Sequence, residues 1–412
     1  MIGPSQGVSS TFSYGYVIVI LSFCIFMIGM GTRVSFGVFL KPLLNELDWT
    51  RATISGAASI NFFMEGKLGV VMGGLNDRVG PRAVLTISGL CLGIGYLMMS
   101  QISSIWHLYL FYGVMAGIGV SGIMVPLTST IARWFAVRRS LMTGIVITGA
   151  GTGGLVGPLF ANWLVYRYDW RTSYIILGGL VLLFIVMSAQ FLRRAPIQKI
   201  QPPYSLAQEA KMDHPWSNEG LALKEAVITK QFWLIFFLFL CFGLVYITIL
   251  VHIVAHATDL GITATMGAVI LAVTTGASAI GNVVMGSVGD RIGNRKVFIF
   301  GFIAIIICLL WLLWAKDLWA LLLFGFVYGF ACGGCVSSQP PIIARFFGLR
   351  SHGLLLGIAG LGHTAGGGFG SLLAGYNYDL YGSYQLIFLF CAAMGCIGFI
   401  LTMLLKPIRK GF

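Results

Sequence analysis

The decisive stretch of this sequence is Gly73-Gly-Leu-Asn-Asp77-Arg78-Val-Gly80-Pro-Arg82, which has a near-copy 213 positions later, Gly286-Ser-Val-Gly-Asp290-Arg291-Ile-Gly293-Asn-Arg295. Both copies read G-x-x-x-D-R-x-G-x-R, and each lies between two long apolar runs. A segment that joins two apolar helices of about 20 residues must be a short turn at a membrane surface. Its acid can accept hydrogen bonds from the first-turn amides of a neighbouring helix. The pattern predicts two similar half-chains, each with a charged turn after its second helix.

The composition is that of a polytopic membrane protein. Of the 412 residues, 58% are hydrophobic and only 9% are charged, whereas a soluble domain carries about 25% charged residues. The 55 glycines fit helices that pack closely in a membrane. The formal net charge of +13 could suggest a nucleic-acid partner. We attribute it instead to the Lys and Arg excess of cytoplasmic loops, and we expect no nucleic acid.

The hydropathy pattern predicts twelve membrane spans. Their predicted ranges are 14–38, 53–75, 84–101, 107–131, 141–163, 172–192, 232–256, 266–288, 297–315, 319–343, 353–375 and 384–405. With the N-terminus inside, inner segments hold 19 of the 26 Lys and Arg residues and outer loops hold five. This asymmetry predicts that both termini are cytoplasmic. The N-terminus has no basic n-region or cleavage site, so the first run is expected to be a retained helix.

The second half of the chain repeats the first at a nearly constant offset. The fourth span ends in Ile131-Ala-Arg-Trp-Phe135 and the tenth in Ile343-Ala-Arg-Phe-Phe347, while the fifth and eleventh spans are both rich in glycine. The predicted fold is therefore an all-α membrane protein with twelve helices in two pseudo-symmetric six-helix bundles. We assign 1–192 to the first bundle, 193–231 to a cytoplasmic linker with an amphipathic helix, and 232–412 to the second bundle. A substrate site is expected between the bundles, near the midplane.

Two charged residues lie deep in the first two spans. Arg33 could snorkel to the outer head groups or bind a carboxylate substrate. Glu65 could carry a proton, contact the substrate or form a buried ion pair with another helix. Lys67 is two residues from Glu65 and points to a roughly opposite helix face, so the two should not pair.

Further polar groups occur in later spans. His252, His256 and Asp259 fall on one face of the seventh span, which leaves a metal site, a solvated helix end or a proton-handling cluster open. His363 lies deep in the eleventh span and could be either a packed hydrogen-bond donor or part of the site. Other candidates for orienting a substrate are Tyr112, Asn282, Tyr328 and Gln339. Cys332 and Cys335 have C-x-x-C spacing without a flanking His or acid, so we interpret them as packing residues.

The duplicated turn resembles the loop signature of the major facilitator superfamily, found between helices 2 and 3 and between helices 8 and 9. Within that superfamily, Trp134-Phe-Ala-Val-Arg138-Arg139-Ser-Leu-Met-Thr-Gly144 resembles the helix-5 signature of the monocarboxylate transporters. His256-Ala-Thr-Asp-Leu-Gly261 looks like the bacterial members, and Gln231-Phe-Trp233 is similar to the oxalate–formate antiporters. The resemblance covers essentially the whole chain.

The resemblance implies a secondary transporter that moves a small monocarboxylate with a proton or by anion exchange, through alternating access. Both usual carboxylate-binding cations are missing, because Asn282 stands at the position of the helix-8 Arg and Ala359 near that of a helix-11 Lys. Arg33 would then be the replacement cation, and Glu65, His256 or Asp259 would carry the proton. The gating motifs would comprise Asp77, Arg78, Arg82, Arg138, Arg139, Asp290, Arg291 and Arg295.

Three alternatives fit less well: a transporter of a neutral or amphiphilic solute, a transport-inactive sensor or scaffold, for which no sizeable soluble domain is present, and an enzyme. A transporter of a neutral or amphiphilic solute is the main alternative, since the usual Arg is absent. No nucleophile–base pair or metal constellation indicates an enzyme. We expect no cofactor and no metal, a monomer in a prokaryotic inner (plasma) membrane, and a small organic anion and H⁺ as partners.

Overall fold

A computed structural model describes residues 6–47, 49, 51–194 and 220–406, and its regular structure there is entirely helical. The helices up to residue 194 are α1 (Gln6–Val34), α2 (Phe36–Leu47), α3 (Arg51–Val79), α4 (Pro81–Met99), α5 (Ile105–Trp134), α6 (Arg139–Arg167) and α7 (Trp170–Phe191). Those from residue 220 are α8 (Leu223–Ile228), α9 (Lys230–Asp259), α10 (Ala264–Ile292), α11 (Asn294–Leu312), α12 (Leu318–Phe347), α13 (His352–Tyr381) and α14 (Gln385–Leu404).

Ten helices of the described residues are long and apolar enough to cross a membrane. The two predicted spans that fall outside this set are α3 and α13. Helix α3 carries Glu65 and Lys67 in its middle, and α13 is rich in glycine, so both are less hydropathic than their neighbours. The helices themselves are present at 29 and 30 residues, enough to cross a bilayer.

The chain forms two compact units. Unit 1 comprises Met1–Ala136 and Ile145–Ala207, and unit 2 comprises Val137–Gly144 and Gln208–Phe412. The first turns of α6 therefore belong to unit 2 and the rest of that helix to unit 1. The predicted linker, 193–231, lies mostly outside the described residues, and its amphipathic helix is represented by the short α8. The predicted boundaries at 192 and 232 remain predictions.

Helix packing in both units depends on glycine. In unit 1, a Cβ on Gly153 of α6 would overlap the carbonyl oxygen of Met27 in α1. In unit 2, a Cβ on Gly329 of α12 would overlap the Thr274 carbonyl of α10, and one on Gly243 of α9 would overlap the His363 carbonyl of α13. These backbones approach as closely as small residues allow in membrane helices.

Helix α1 does not run straight into α2. The break falls at Ser35, whose hydroxyl donates to the Gly31 carbonyl at 2.7 Å. Helix α5 is also interrupted: residues 109–116 form a π-helical segment, and a break at Gly122 precedes its last part, Met124–Trp134. Such irregularities concentrate where a helix contributes to a functional site. The break at Ser35 follows Arg33 by two residues, and Tyr112 of the π-helical segment lies against the Arg33 carbonyl.

Glu46, near the C-terminus of α2, binds two residues at the N-terminus of α7. Its carboxylate accepts from Trp170 Nε1 at 2.5 Å and from Arg171 Nη2 at 2.7 Å. Arg171 also donates to the Ser100 carbonyl at 2.9 Å. The hydrogen bond from Trp170, followed by that from Arg171, holds the pKa of Glu46 below its usual range.

Candidate functional site

Arg33 and Glu65 form a bidentate ion pair inside unit 1. Arg33 Nη1 donates to Glu65 Oε1 at 2.9 Å, and Nη2 lies 2.7 Å from Oε2. The side chains are only 11% and 24% exposed, respectively. The Arg33 guanidinium also lies over the Phe62 ring, 4.1 Å from its centroid. Of the alternatives stated for Glu65, the structure therefore contains the buried ion pair with another helix. The partner is Arg33 of α1, whose guanidinium binds Glu65.

Lys67 takes no part in this pair. Its side chain is exposed and its ammonium lies 5.9 Å from the centroid of the Phe63 ring. The two-residue spacing correctly predicted that Lys67 and Glu65 would not pair.

Tyrosines hold the backbone of α1 beside the ion pair. Tyr112 of α5 is 3% exposed and stacks on Phe36 at 3.7 Å between centroids, and its hydroxyl lies 3.5 Å from the Arg33 carbonyl. Tyr96 of α4 donates to the Thr32 carbonyl at 2.7 Å. Tyr112 was predicted to orient a substrate, but here it contacts the main chain of Arg33. Tyr96 has no distinguishing sequence signal, because nothing in an apolar span marks which tyrosine meets a free carbonyl.

In unit 2, two predicted residues lie together. Gln339 Nε2 and His363 Nδ1 are 3.2 Å apart, with the rings of Phe242 and Tyr246 beside the imidazole at 5.5 Å and 6.3 Å between centroids. Tyr328 lies elsewhere: it is fully buried, and its hydroxyl donates to the Val245 carbonyl at 3.0 Å. The structure brings Gln339 to His363 but gives Tyr328 a main-chain partner.

Asn282 occupies a crossing of three helices in unit 2. Its main chain packs against Gly144 of α6 and Gly333 of α12, where a Cβ would meet its carbonyl oxygen or its amide nitrogen. Its side chain is 5% exposed, and its Oδ1 atom has no hydrogen-bond partner among the described residues. A buried amide oxygen without a partner is costly, so this atom is available to a donor on a ligand or a water.

The histidines near the end of α9 form a network with tyrosines. His252 lies 3.3 Å from the Tyr384 hydroxyl and 3.1 Å from the Ser371 carbonyl, through Nδ1 and Nε2 respectively. His256 packs edge-on against Phe388 with 4.9 Å between centroids, and its Nε2 is buried without a partner. Asp259 hydrogen-bonds Tyr378. The described residues contain no group of three or more metal-ligating side chains, so the metal alternative has no support there.

The acids of both charged turns accept hydrogen bonds. Asp290 accepts from the main-chain amides of Ser140 and Leu141 at 2.8 Å and 2.9 Å, at the N-terminus of α6. In the first copy, Asp77 accepts from Arg133 Nη2 at 2.6 Å. The second copy thus has the predicted amide-capping contacts, which lie within unit 2.

The remaining motif residues cap helix ends or lie in solvent-exposed positions. Arg82 Nε donates to Gln190 Oε1 at 2.8 Å, and Arg295 donates to the Thr402 and Met403 carbonyls at 3.0 Å and 2.7 Å. Gly80 and Gly293 have φ values of 88° and 91°, a conformation that favours glycine. Exposed or partly exposed side chains in these motifs are Arg78, Arg138, Arg139 and Arg291.

Replacing Asp290 with asparagine should destabilise unit 2 by roughly 1–3 kcal/mol, because an amide has one acceptor oxygen for two donors and no charge for the α6 dipole. Thermal unfolding of the purified protein measures this loss. Asp317→Asn is the matched control, since Asp317 stands at the N-cap of α12 without a side-chain capping bond. Equal unfolding temperatures for the two variants would contradict the role assigned to Asp290.

Comparison with known proteins identifies the class. The sequence profile described as the Major Facilitator Superfamily matches residues 21–277 and 248–411. Monocarboxylate transporter 13 of Rattus norvegicus is 26% identical over 384 residues, which is 92% of this chain and 86% of that protein. The agnestins efflux protein of Paecilomyces divaricatus is 24% identical, covering 86% of this chain and 79% of its own. The crystal structure of the E. coli fucose:proton symporter superposes with a TM-score of 0.72 at 14% identity, over 95% of this chain and 98% of that one.

These findings define a multi-pass membrane transporter and exclude an enzyme. The chain belongs to the major facilitator superfamily and has its twelve-helix fold. Its likeness to monocarboxylate transporters confirms the resemblance drawn from the sequence.

Proposed function

We propose that this transporter moves a small organic anion of the monocarboxylate type together with a proton, by alternating access. The observation that supports this most strongly is the Arg33–Glu65 pair. Both ions lie in apolar helices, where ionisable side chains are expensive and mark substrate or proton pathways. A well-packed apolar pair would be as stable or more stable, so stability alone does not account for two buried charges.

The pair couples an anion to a proton through charge balance. While Glu65 is ionised, it occupies both terminal nitrogens of Arg33. Protonation of Glu65 removes its charge and leaves a guanidinium fork that matches the geometry of a carboxylate. The anion and the proton then enter as a neutral combination, and neither binds well alone.

Within unit 2, the predicted residues offer hydrogen bonds instead of a fixed charge. Gln339 and His363 present an amide and an imidazole beside aromatic rings, and Asn282 has an unpartnered amide oxygen. Such groups can orient hydroxyl or keto substituents. Of the other predicted residues, Tyr112 would position Arg33, Tyr328 would support the α9–α12 packing, and His256 and Asp259 remain candidates for a second proton site.

Replacing Glu65 with glutamine should uncouple transport from the pH gradient, because the amide keeps the shape but cannot bind and release a proton. We expect a labelled monocarboxylate to enter wild-type proteoliposomes several-fold faster with an inward proton gradient, and the variant at the same rate with or without it. Lys67→Gln is the control, since Lys67 is on the same helix with an exposed side chain. A gradient response in Glu65→Gln equal to that of the wild type would remove Glu65 from the coupling step.

A neutral or amphiphilic substrate is the second candidate. Two observations favour this candidate. Glu65 already neutralises the charge of Arg33. Asn282 stands at the position where the transporters that this chain resembles carry an Arg. A relative named as an efflux protein also fits this class. Competition of labelled uptake by uncharged analogues, without competition by the matching carboxylates, would select this candidate.

We propose that both termini are cytoplasmic, which the charge asymmetry of the loops supports, and that the membrane is a prokaryotic inner membrane. We also propose a monomer built of two bundles joined by a cytoplasmic linker.

A further inference from the structure

A cavity of about 260 Å³ lies in unit 1, where α4 begins and α7 ends. Three of its lining residues are arginines, Arg82, Arg193 and Arg194. None of the described residues that line it is acidic. Three positive charges around one concave space indicate a site for an anion.

The three arginines are held by uncharged groups. Arg82 donates to the Gln190 amide at 2.8 Å, Arg194 donates to the main-chain carbonyl of Asp77 at 2.8 Å, and Arg193 lies over the Tyr14 ring at 5.0 Å. Among the described residues, none of the three forms an ion pair. An arginine has five N–H donors, so each retains donors for a ligand while these contacts fix its position.

The N-terminus of α4 adds to the positive potential. Gly80 is its N-cap residue and makes no side-chain capping bond, and Pro81 follows at the first helical position. Gly80 and Pro81 both line the cavity. First-turn amides that no side chain caps, together with the helix dipole, favour a bound anion.

An apolar surface runs from the cavity along α4 and α7. Helix α7 exposes Leu183, Met187 and Phe191, each four residues from the next and 53–59% exposed. The two helices pack closely through Gly89, where a Cβ would lie 2.8 Å from Ile185 Cγ2. Helix α4 exposes a matching row, comprising Ile87, Leu90 and Ile94.

We propose that this cavity binds a phosphate group, presented as the head group of an anionic phospholipid. The arginines would hold the phosphate oxygens, and the acyl chains would lie along the exposed rows of α4 and α7. A soluble phosphate shares the head-group chemistry but has no acyl chains to lie along the apolar rows. This site is independent of the Arg33–Glu65 pair and of the substrate proposed above.

The test is lipid selectivity of the purified full-length protein. The protein is equilibrated with equal amounts of phosphatidylglycerol and phosphatidylcholine, and the retained lipids are counted by native mass spectrometry. We expect phosphatidylglycerol to be preferred, and Arg193→Gln and Arg194→Gln each to reduce that preference roughly fivefold. Arg167→Gln is the control, because Arg167 is an arginine of the same unit whose contact is with the Tyr168 ring, at 5.9 Å.

Competition with inorganic phosphate distinguishes a lipid head group from a soluble phosphate as the ligand of this cavity. Displacement of phosphatidylglycerol by millimolar phosphate, with a thermal shift that depends on Arg193, would support the phosphate site but assign it to a soluble ligand. Retention of the lipid in the presence of phosphate supports the head group. The proposal is overturned if the wild type binds both lipids equally and phosphate produces no thermal shift, or if the arginine variants keep the wild-type preference. Equal binding of the two lipids by the wild type overturns the proposal without any variant, and two separate arginine variants locate the site if one of them does not fold.

Discussion

Arg33→Ala should reduce uptake of a labelled monocarboxylate by on the order of 100-fold, because a bidentate charge-assisted contact with the substrate is lost. The same change leaves Glu65 without its partner in an apolar helix. Removing one member of a buried pair destabilises a protein by about 3–5 kcal/mol, and the 24% exposure of Glu65 places the expected loss toward the lower end. Uptake into proteoliposomes and thermal unfolding measure the two effects separately.

The double variant Arg33→Ala with Glu65→Gln separates a structural role from substrate binding. If the pair only stabilises unit 1, removing both charges should restore the unfolding temperature and uptake together. If Arg33 binds the anion, the unfolding temperature should recover while uptake remains low. Wild-type uptake by the double variant would therefore exclude Arg33 from the substrate site, and Lys67→Ala controls for the loss of a cation from these spans.

The sequence predicted the features that depend on local pattern. The repeated charged turn predicted two related halves of the chain. The acid of the second copy accepts hydrogen bonds from first-turn amides, those of Ser140 and Leu141, as predicted. The positions of Glu65 and Lys67 on different helix faces also followed from spacing alone. These features depend on helix periodicity and hydrogen-bond chemistry, which a single sequence carries.

Features that depend on helix rotation and packing could not be predicted in the same way. Apart from Asn61 and Lys67, the residues near Glu65 on α3 are apolar or glycine, so hydropathy does not indicate that this side turns toward α1 and Arg33. Tyr112 and Tyr328 were chosen as polar groups in apolar spans, but both hydroxyls lie against nearby main-chain carbonyls. The carbonyl that Tyr112 contacts lies beside the helix break at Ser35, whereas Val245 lies inside the continuous helix α9 and only helix packing brings it to Tyr328.

Gly153→Ala should have the largest steric effect in unit 1, whereas Gly154→Ala should be neutral or stabilising. A Cβ on Gly153 would overlap the Met27 carbonyl oxygen, and main-chain atoms cannot move aside as a flexible side chain could. A Cβ on Gly154 would meet nothing within 4 Å. Replacing glycine with alanine inside a helix stabilises the folded protein by up to about 1 kcal/mol. The overlap at Gly153 destabilises it by roughly 3 kcal/mol or more. Neighbouring residues of one helix should thus change stability in opposite directions.

Thermal unfolding of the two variants measures this difference, and uptake measures its consequence for the site. Gly153 also contacts Gly31, since a Cβ on Gly31 would lie 2.9 Å from the Gly153 carbonyl oxygen, and Arg33 follows two residues later. Moving α1 away from α6 therefore shifts Arg33 relative to Glu65, and a shift of about 1 Å is enough to lower transport substantially. Equal unfolding temperatures for Gly153→Ala and Gly154→Ala would show that α1 and α6 do not pack at this distance, and the support that this contact gives to Arg33 would then be absent.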